Sequence, residues 1–301
     1  MKLIERSAWW GSAEIGAFAY LGEFRKREAV LKIQGVKTET AEAEMITGFA
    51  RTNRSKVLRP PHLLDSLPWD NEQRYEALVM EYVDGKRVVK TPTTSQELEE
   101  FFSLFKDYRK NCRSNPWLEK PNKTLSEQVF ENFQTWKKIS RKIYPSHPLR
   151  DRADEGLIDQ TVDLLTSEYS QVASEFQHAH LSEADLVRVD EEVVVLSNLY
   201  WLWRAPFYDA VFGYHWFMYH LNDVYGITSG EVESQRGLWL GTIIDLAKTD
   251  EEKRLLNLAL LERAAAGLNL DALSTDPEIP ISKYLVKATR EQIKSLTREL
   301  H

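Results

Sequence analysis

The sequence predicts an α+β chain in which a small β-rich part carrying one helix precedes a larger, mainly helical part. Three observations carry that expectation. Up to about residue 83, short runs of alternating apolar residues are separated by polar turns, the period-2 signature of strands. Beyond that point, long stretches carry apolar residues at helical spacing. The 301 residues, 43% of them hydrophobic, exceed what one small core needs and suffice for two. The change falls near Asp84 to Val89, so the expected division is 1–85 and 86–301.

Ala17 to Phe24 and Glu28 to Gln34 read as a hairpin split by Arg25-Lys26-Arg27. In the second strand Ala29, Leu31 and Ile33 share one face, and Val30 and Lys32 share the other. A helix is expected from Thr38 to Arg51, with Ile46 and Phe49 on its apolar side. Val57 to Leu64 reads as a strand broken by Pro60-Pro61, and Ala77 to Val83 as a strand ended by the turn pair Asp84-Gly85. Capping-box spacings at Thr94–Glu97 and Thr124–Glu127 open two helices. Further helices are expected from Leu157 to Phe176, from Pro206 to Val224, and from Asp250 to Gly267.

A formal net charge of −7 argues against a general nucleic-acid-binding surface, and the run Lys137, Lys138, Arg141, Lys142 reads as a solvated helix face. Cys112 is the single cysteine, which excludes an intrachain disulfide and a thiolate zinc cluster and fits a reducing compartment. It reads as a surface or half-buried thiol. The first six residues lack the apolar core of a signal peptide. The most apolar stretch, Val193 to Leu221, is interrupted by Asn198, Arg204, Pro206 and Asp209, which argues against a membrane span. A cytoplasmic protein with no nucleic-acid or membrane partner is therefore expected.

Several segments carry chemistry in a suggestive order. Gly11-Ser12-Ala13-Glu14-Ile15-Gly16-Ala17-Phe18 is a glycine-bearing loop, and Ala29-Val30-Leu31-Lys32 places a lysine on the following strand. Glu42 precedes Ile46 and Phe49 by four and seven residues, so it shares their helical side better than Glu44 does. Leu78 to Gly85 is a strand and linker. Phe176-Gln177-His178-Ala179-His180-Leu181, with Asp185, Leu186 and Val187 after it, is a histidine loop; Val193 to Asn198 is a strand with Ser197 near its end; Pro206-Phe207-Tyr208-Asp209 opens a helix.

Over roughly residues 8 to 225 this order resembles the protein-kinase-like superfamily, in its aminoglycoside and choline phosphotransferase branch. The resemblance implies a bilobal fold that binds ATP or another nucleotide. Gly11, Gly16 and Phe18 would belong to the phosphate loop, where Ala13 replaces the middle glycine. Val30 would pack on the base, Lys32 would reach phosphate oxygens with Glu42 as partner, and backbone groups near Glu81 and Val83 would meet the adenine edge. In the catalytic loop His178 is kept, but His180 stands where the family has its catalytic aspartate. Asp185 replaces the metal-binding asparagine, and Ser197 replaces the metal-binding aspartate. Asp209 matches the residue that buttresses the loop.

Mg²⁺ wants hard anionic oxygen ligands, and a serine hydroxyl is a poor substitute for a carboxylate. Asp185 restores one carboxylate at most, so the metal is poorly served. No G-x-S-x-G elbow or H-E-x-x-H spacing offers another chemistry. The aromatic residues from Tyr200 to Tyr219 read as core, with exposed Trp201 and Trp203 as the alternative; Arg204 would then clamp an anion or cap a turn. Three readings follow. The first is a pseudokinase that binds a nucleotide, a small metabolite or a protein partner. The second is an active phosphotransferase acting on a hydroxyl group with rearranged ligands, Asp185 and His180. The third is a structural partner protein with a closed cleft.

Overall fold

The computed structural model describes residues 1–8, 15–89 and 94–300. Strand β1 (Lys2–Ala8) pairs antiparallel with β2 (Ile15–Phe24), which turns back into β3 (Arg27–Gln34). Arg25 and Lys26 both take positive φ, 51° and 65°, so the expected hairpin closes with a two-residue left-handed turn that matches strand twist. β1 was not legible as a strand, because its residues barely alternate and the first four are exposed. Helix α1 (Glu42–Thr52) begins four residues later than Thr38, and the Thr38 hydroxyl is engaged in a local turn, donating to Thr40 O at 2.8 Å.

The broken strand at Pro60-Pro61 resolves into two strands of different sheets, β4 (Leu58–Arg59) and β5 (Leu63–Asp70). β6 (Tyr75–Glu81) completes a five-stranded sheet in the order β1-β2-β3-β6-β5. β5 is its edge, where Pro68 costs no ladder bond. After β7 (Lys86–Arg87) the chain forms α2 (Ser95–Ser114), α3 (Leu125–Ile143) and α4 (Arg152–Glu168). The Thr124–Glu127 capping box is complete at α3. The expected third helix is displaced: it starts at Arg152, capped by Asp151, and Phe176 lies instead in strand β8 (Glu175–Gln177).

β9 (Leu186–Val189) and β10 (Glu192–Val195) form a hairpin whose sheet runs β4-β10-β9-β7, and β11 (Leu202–Arg204) pairs with β8. The helix expected from Pro206 is α5 (Tyr208–His220), preceded by Phe207 at φ 64°. Three more helices close the chain: α6 (Ser229–Ile244), α7 (Asp250–Asn269) and α8 (Pro280–Leu300). α6 and α8 were not among the expected helices, although α6 opens on a complete capping box, Thr228–Glu231, and α8 opens on Pro280. α7 runs past Gly267, because that glycine packs beside Tyr219 rather than ending the helix. Its second half is buried on every side.

The chain divides into two compact units. One comprises Met1–Lys90, Lys106–Leu118 and Glu183–Trp201; the other comprises Thr91–Phe105, Glu119–Ser182 and Leu202–His301. A cut after Gly85 follows the end of the five-stranded sheet, yet the β9–β10 hairpin groups with that sheet as well. Arg59 staples the two sheets of the first unit, pairing with Glu81 on β6 and, at 2.6 Å, with Glu192 on β10. An aromatic cluster packs α1 in the same unit: Phe49 stacks on Trp117 at 5.5 Å, and Trp201 meets both at 4.9 and 4.5 Å. Trp201 is 2% exposed, so the aromatic run is core at that position. Cys112 is fully buried, not half-exposed. The core of the second unit gathers Phe101, Phe102 and Phe217 around Trp239.

Candidate functional site

The antiparallel register decides which residues of the first sheet share a face. Lys32 lies opposite Ala19 on β2 and Leu78 on β6, and Gln34 lies opposite Ala17 and Glu76. Directly opposed residues point the same way, so Val30, Lys32, Gln34, Glu76 and Leu78 line one face. Helix α1 brings Glu42 to it. Lys32 Nζ donates to Glu42 Oε2 at 2.6 Å, and Gln34 Nε2 reaches the same oxygen at 3.3 Å. Glu42 is 2% exposed and shares the buried side of α1 with Ile46 and Phe49, as its spacing predicts.

A second carboxylate sits beside this pair. Glu76 is 5% exposed, and among the described residues its Oε1 has no hydrogen-bond partner. Burial raises its pKa, the Glu42 charge raises it further, and the Glu42 N–H and Lys32 act the other way. For Lys32, burial disfavours the ammonium, but the contacting Glu42 carboxylate more than offsets it, so its pKa stands above the ordinary value.

The same register corrects one expectation. Phe18 lies opposite Ile33, with Tyr20 opposite Leu31, on the face away from Lys32. Ala17 and Ala19, both buried, lie on the Lys32 face instead. Gly16 belongs to β2, and its carbonyl accepts from Gly35 N at 3.2 Å. Gly11, with Ser12, Ala13 and Glu14, lies outside the described residues. At the far end of β6, the Glu81 carboxylate is committed to Arg59 and to the His62 N–H, and Val83 follows, half-buried in an otherwise exposed linker. The backbone of Gly85 lies against the Arg188 carbonyl, where a side chain would not fit.

The first unit also contains the end of the histidine loop and the strand after it. Asp185, 4% exposed, closes a short 3-10 turn, Glu183–Asp185, and its carbonyl accepts from Leu196 N at 2.8 Å. Ser197 adopts a left-handed conformation, φ 56° and ψ 42°. Neighbouring Asn198 is fully engaged: its amide donates to Val195 O at 2.8 Å and its oxygen accepts from Trp201 Nε1 at 3.0 Å. Tyr200, next in the chain, stands in the field of Lys32, Glu42 and Asp185; burial raises its pKa while Lys32 opposes the rise. Lys32, Glu42, Glu76, Asp185 and Tyr200 thus form one electrostatically linked group.

In the second unit, His178 is fully buried, and His180 is wedged against rings, 4.5 Å from Phe212 and 5.4 Å from Trp216. Ala179 takes φ 62°, a conformation held by Asp209, whose two carboxylate oxygens accept from Ala179 N at 3.1 Å and Leu181 N at 3.3 Å. Asp209 is fully buried, so those bonds are shielded from water. Arg204 neither clamps an anion at a surface nor caps a turn. It is 6% exposed, 3.7 Å from Glu262 and 4.0 Å above the Tyr208 ring. Among the described residues, no three His, Cys, Asp or Glu side chains gather as a metal-ion cluster.

Glu76, Gln34 and Tyr200 were not legible in the sequence as members of this group. The alternation of β6 placed Glu76 with Leu78, but nothing local said that β6 would lie beside β3. The signal for Gln34 was its place two residues beyond Lys32, on the same face.

No protein-family model matches the sequence, and no curated protein sequence does. Solved structures do. Aminoglycoside phosphotransferase APH(4)-Ia superposes with a TM-score of 0.60 at 11% identity, covering 99% of this chain and 93% of that one. Choline kinase from Cryptosporidium parvum gives 0.57 at 13%, covering 99% and 89%. The amicoumacin kinase hAmiN gives 0.59 at 13%, covering 95% and 87%. The chain therefore has the bilobal kinase-like fold in the form these phosphotransferases share. No helix among the described residues is long and apolar enough to cross a membrane.

Proposed function

We propose that this chain is a kinase-like protein that binds a nucleotide or a small phosphorylated metabolite through Lys32 and has lost efficient phosphoryl transfer. The observation that carries the reading is the contrast within one unit. The Lys32–Glu42 pair is intact at 2.6 Å, whereas the position expected to supply a metal-binding carboxylate holds Ser197. Lys32 keeps 21% of its side chain exposed, and an ammonium oriented by Glu42 is a suitable partner for a phosphate oxygen. Structures of similar fold support the nucleotide: hAmiN is in complex with AMP-PNP, Ca²⁺ and Ami, and an APH(4)-Ia mutant with ADP and hygromycin B.

The residues present do not fit a divalent ion bridging phosphates. The donor set is one carboxylate, Asp185, and a neutral hydroxyl, Ser197; the Asn198 amide is already spent on the fold. His180 is held by aromatic packing, which supports a structural role over that of a base.

The test is a thermal-shift and calorimetric titration with ATP, once with Mg²⁺ and once with a chelator. The expected result is similar stabilisation in both, no turnover, and loss of binding in Lys32→Ala. Stabilisation that requires Mg²⁺, with turnover abolished by Asp185→Ala, would overturn the reading in favour of an active phosphotransferase. No response to any nucleotide, with a protein that co-purifies, would favour a structural partner.

A further inference from the structure

We propose that a cleft between the start of α4 and the middle of α8 is a second binding site, for a small anion that carries a phosphate group. The cleft has a volume of about 500 Å³ and is lined by Arg150, Asp151, Arg152, Lys283 and Arg290 together with the apolar Val286. That is the size of a small-molecule site. Four of its lining side chains are cationic in a chain whose formal net charge is −7, so the local sign runs against the average.

The cations are of two kinds. Arg290 is clamped by Asp154 through two bonds of 2.7 Å and also donates to Leu149 O at 3.0 Å. Arg150 is held by Glu155 at 2.9 Å and by the Ser140 hydroxyl at 2.8 Å. These carboxylates fix the guanidinium planes, so little conformational entropy remains to be lost on binding. Arg141 and Arg150 hold the Glu155 carboxyl at a pKa of about 2, so that support stays ionised throughout the neutral range. Arg152 and Lys283, by contrast, are exposed, and among the described residues neither has an ion-pair partner. Asp151 is the one lining carboxylate. It is committed as the N-cap of α4, accepting from Ala153 N at 2.9 Å.

The N–H groups that Arg150 and Arg290 do not spend on these partners, with an exposed lysine and arginine at the rim, suit the tetrahedral oxygens of a phosphate. All these residues belong to the second unit, and none to the unit that carries Lys32.

The experiment is isothermal titration of the full chain with pyrophosphate, and separately with citrate, at constant ionic strength. The variant is Arg152→Gln combined with Lys283→Gln; both side chains are exposed, and a circular-dichroism melt checks that the fold is kept. Pyrophosphate is expected to bind the wild type, and the double variant to bind about tenfold more weakly or less. Lys287→Gln, an exposed change on α8 outside the cleft, should leave binding as it was. Pyrophosphate affinity unchanged in the double variant, or absent from the wild type at millimolar concentration, would overturn the proposal. Citrate binding as tightly as pyrophosphate would overturn the phosphate assignment.

Discussion

Removing Lys32 should destabilise this protein more than removing its partner Glu42. Lys32→Met takes away an ammonium 2.6 Å from Glu42 Oε2 and leaves two adjacent buried carboxylates, Glu42 at 2% and Glu76 at 5% exposure. The gross attraction across 2.6 Å is about 6 kcal/mol at an effective dielectric of about 20, much of it offset by the desolvation of both charges. Breaking such a pair from one side costs about 3–5 kcal/mol, because the remaining charge stays buried. Glu42→Gln leaves Lys32 with Glu76 nearby and keeps an acceptor for Gln34, so its cost should be about 1–2 kcal/mol.

Urea denaturation followed by circular dichroism at neutral pH measures both. The pH dependence supplies a second check. The folded-state pKa of Glu76 is raised, so its protonated form favours the fold: that contribution is complete below the ordinary carboxylate range and is lost as pH rises through the folded value. With Lys32 gone the effect should grow, and the Lys32→Met deficit should shrink on acidification from neutral pH. By the same sign, Glu76→Gln should stabilise the wild type at neutral pH. Equal costs for Lys32→Met and Glu42→Gln, or a deficit indifferent to pH, would refute the three-group picture.

Other expectations follow from packing. Gly48→Ala should cost about 1–3 kcal/mol in a urea melt, since a Cβ there would run into the Trp117 ring between α1 and its aromatic cluster. Asp209→Ala should cost about 2–3 kcal/mol by the same measurement, because two buried N–H groups at Ala179 and Leu181 lose a charged acceptor. Cys112, fully buried, should resist a thiol reagent in the native state and react at once in denaturant; fast native labelling would show that α2 is packed differently.

Much of the architecture was legible because its determinants are local. The hairpin, the capping box at Thr124, the strand–helix order and the helical side shared by Glu42, Ile46 and Phe49 follow from alternation, 3.6-residue spacing and side-chain caps. Local signals failed where burial overrode them. Gly267 looks like a helix stop but is a packing position, and the stretch near Phe176 has helical spacing but pairs with β11. β1 owes its existence to β2, since an isolated exposed strand has nothing to hold it.

The candidate site divides along the same line. The sequence by itself determined that Lys32 and Glu42 are available to pair, that a serine stands at 197 and a histidine at 180, and that Asp209 opens a helix. The tertiary structure alone decided that Phe18 faces away from Lys32, that Glu76 and Tyr200 enter its field, and that His180 is gripped by Phe212 and Trp216. Strand register and loop closure join residues dozens of positions apart, and a one-residue shift in either would turn every side chain to the opposite face. Such pairings are chosen by the burial of the whole chain, which no short window of residues can record.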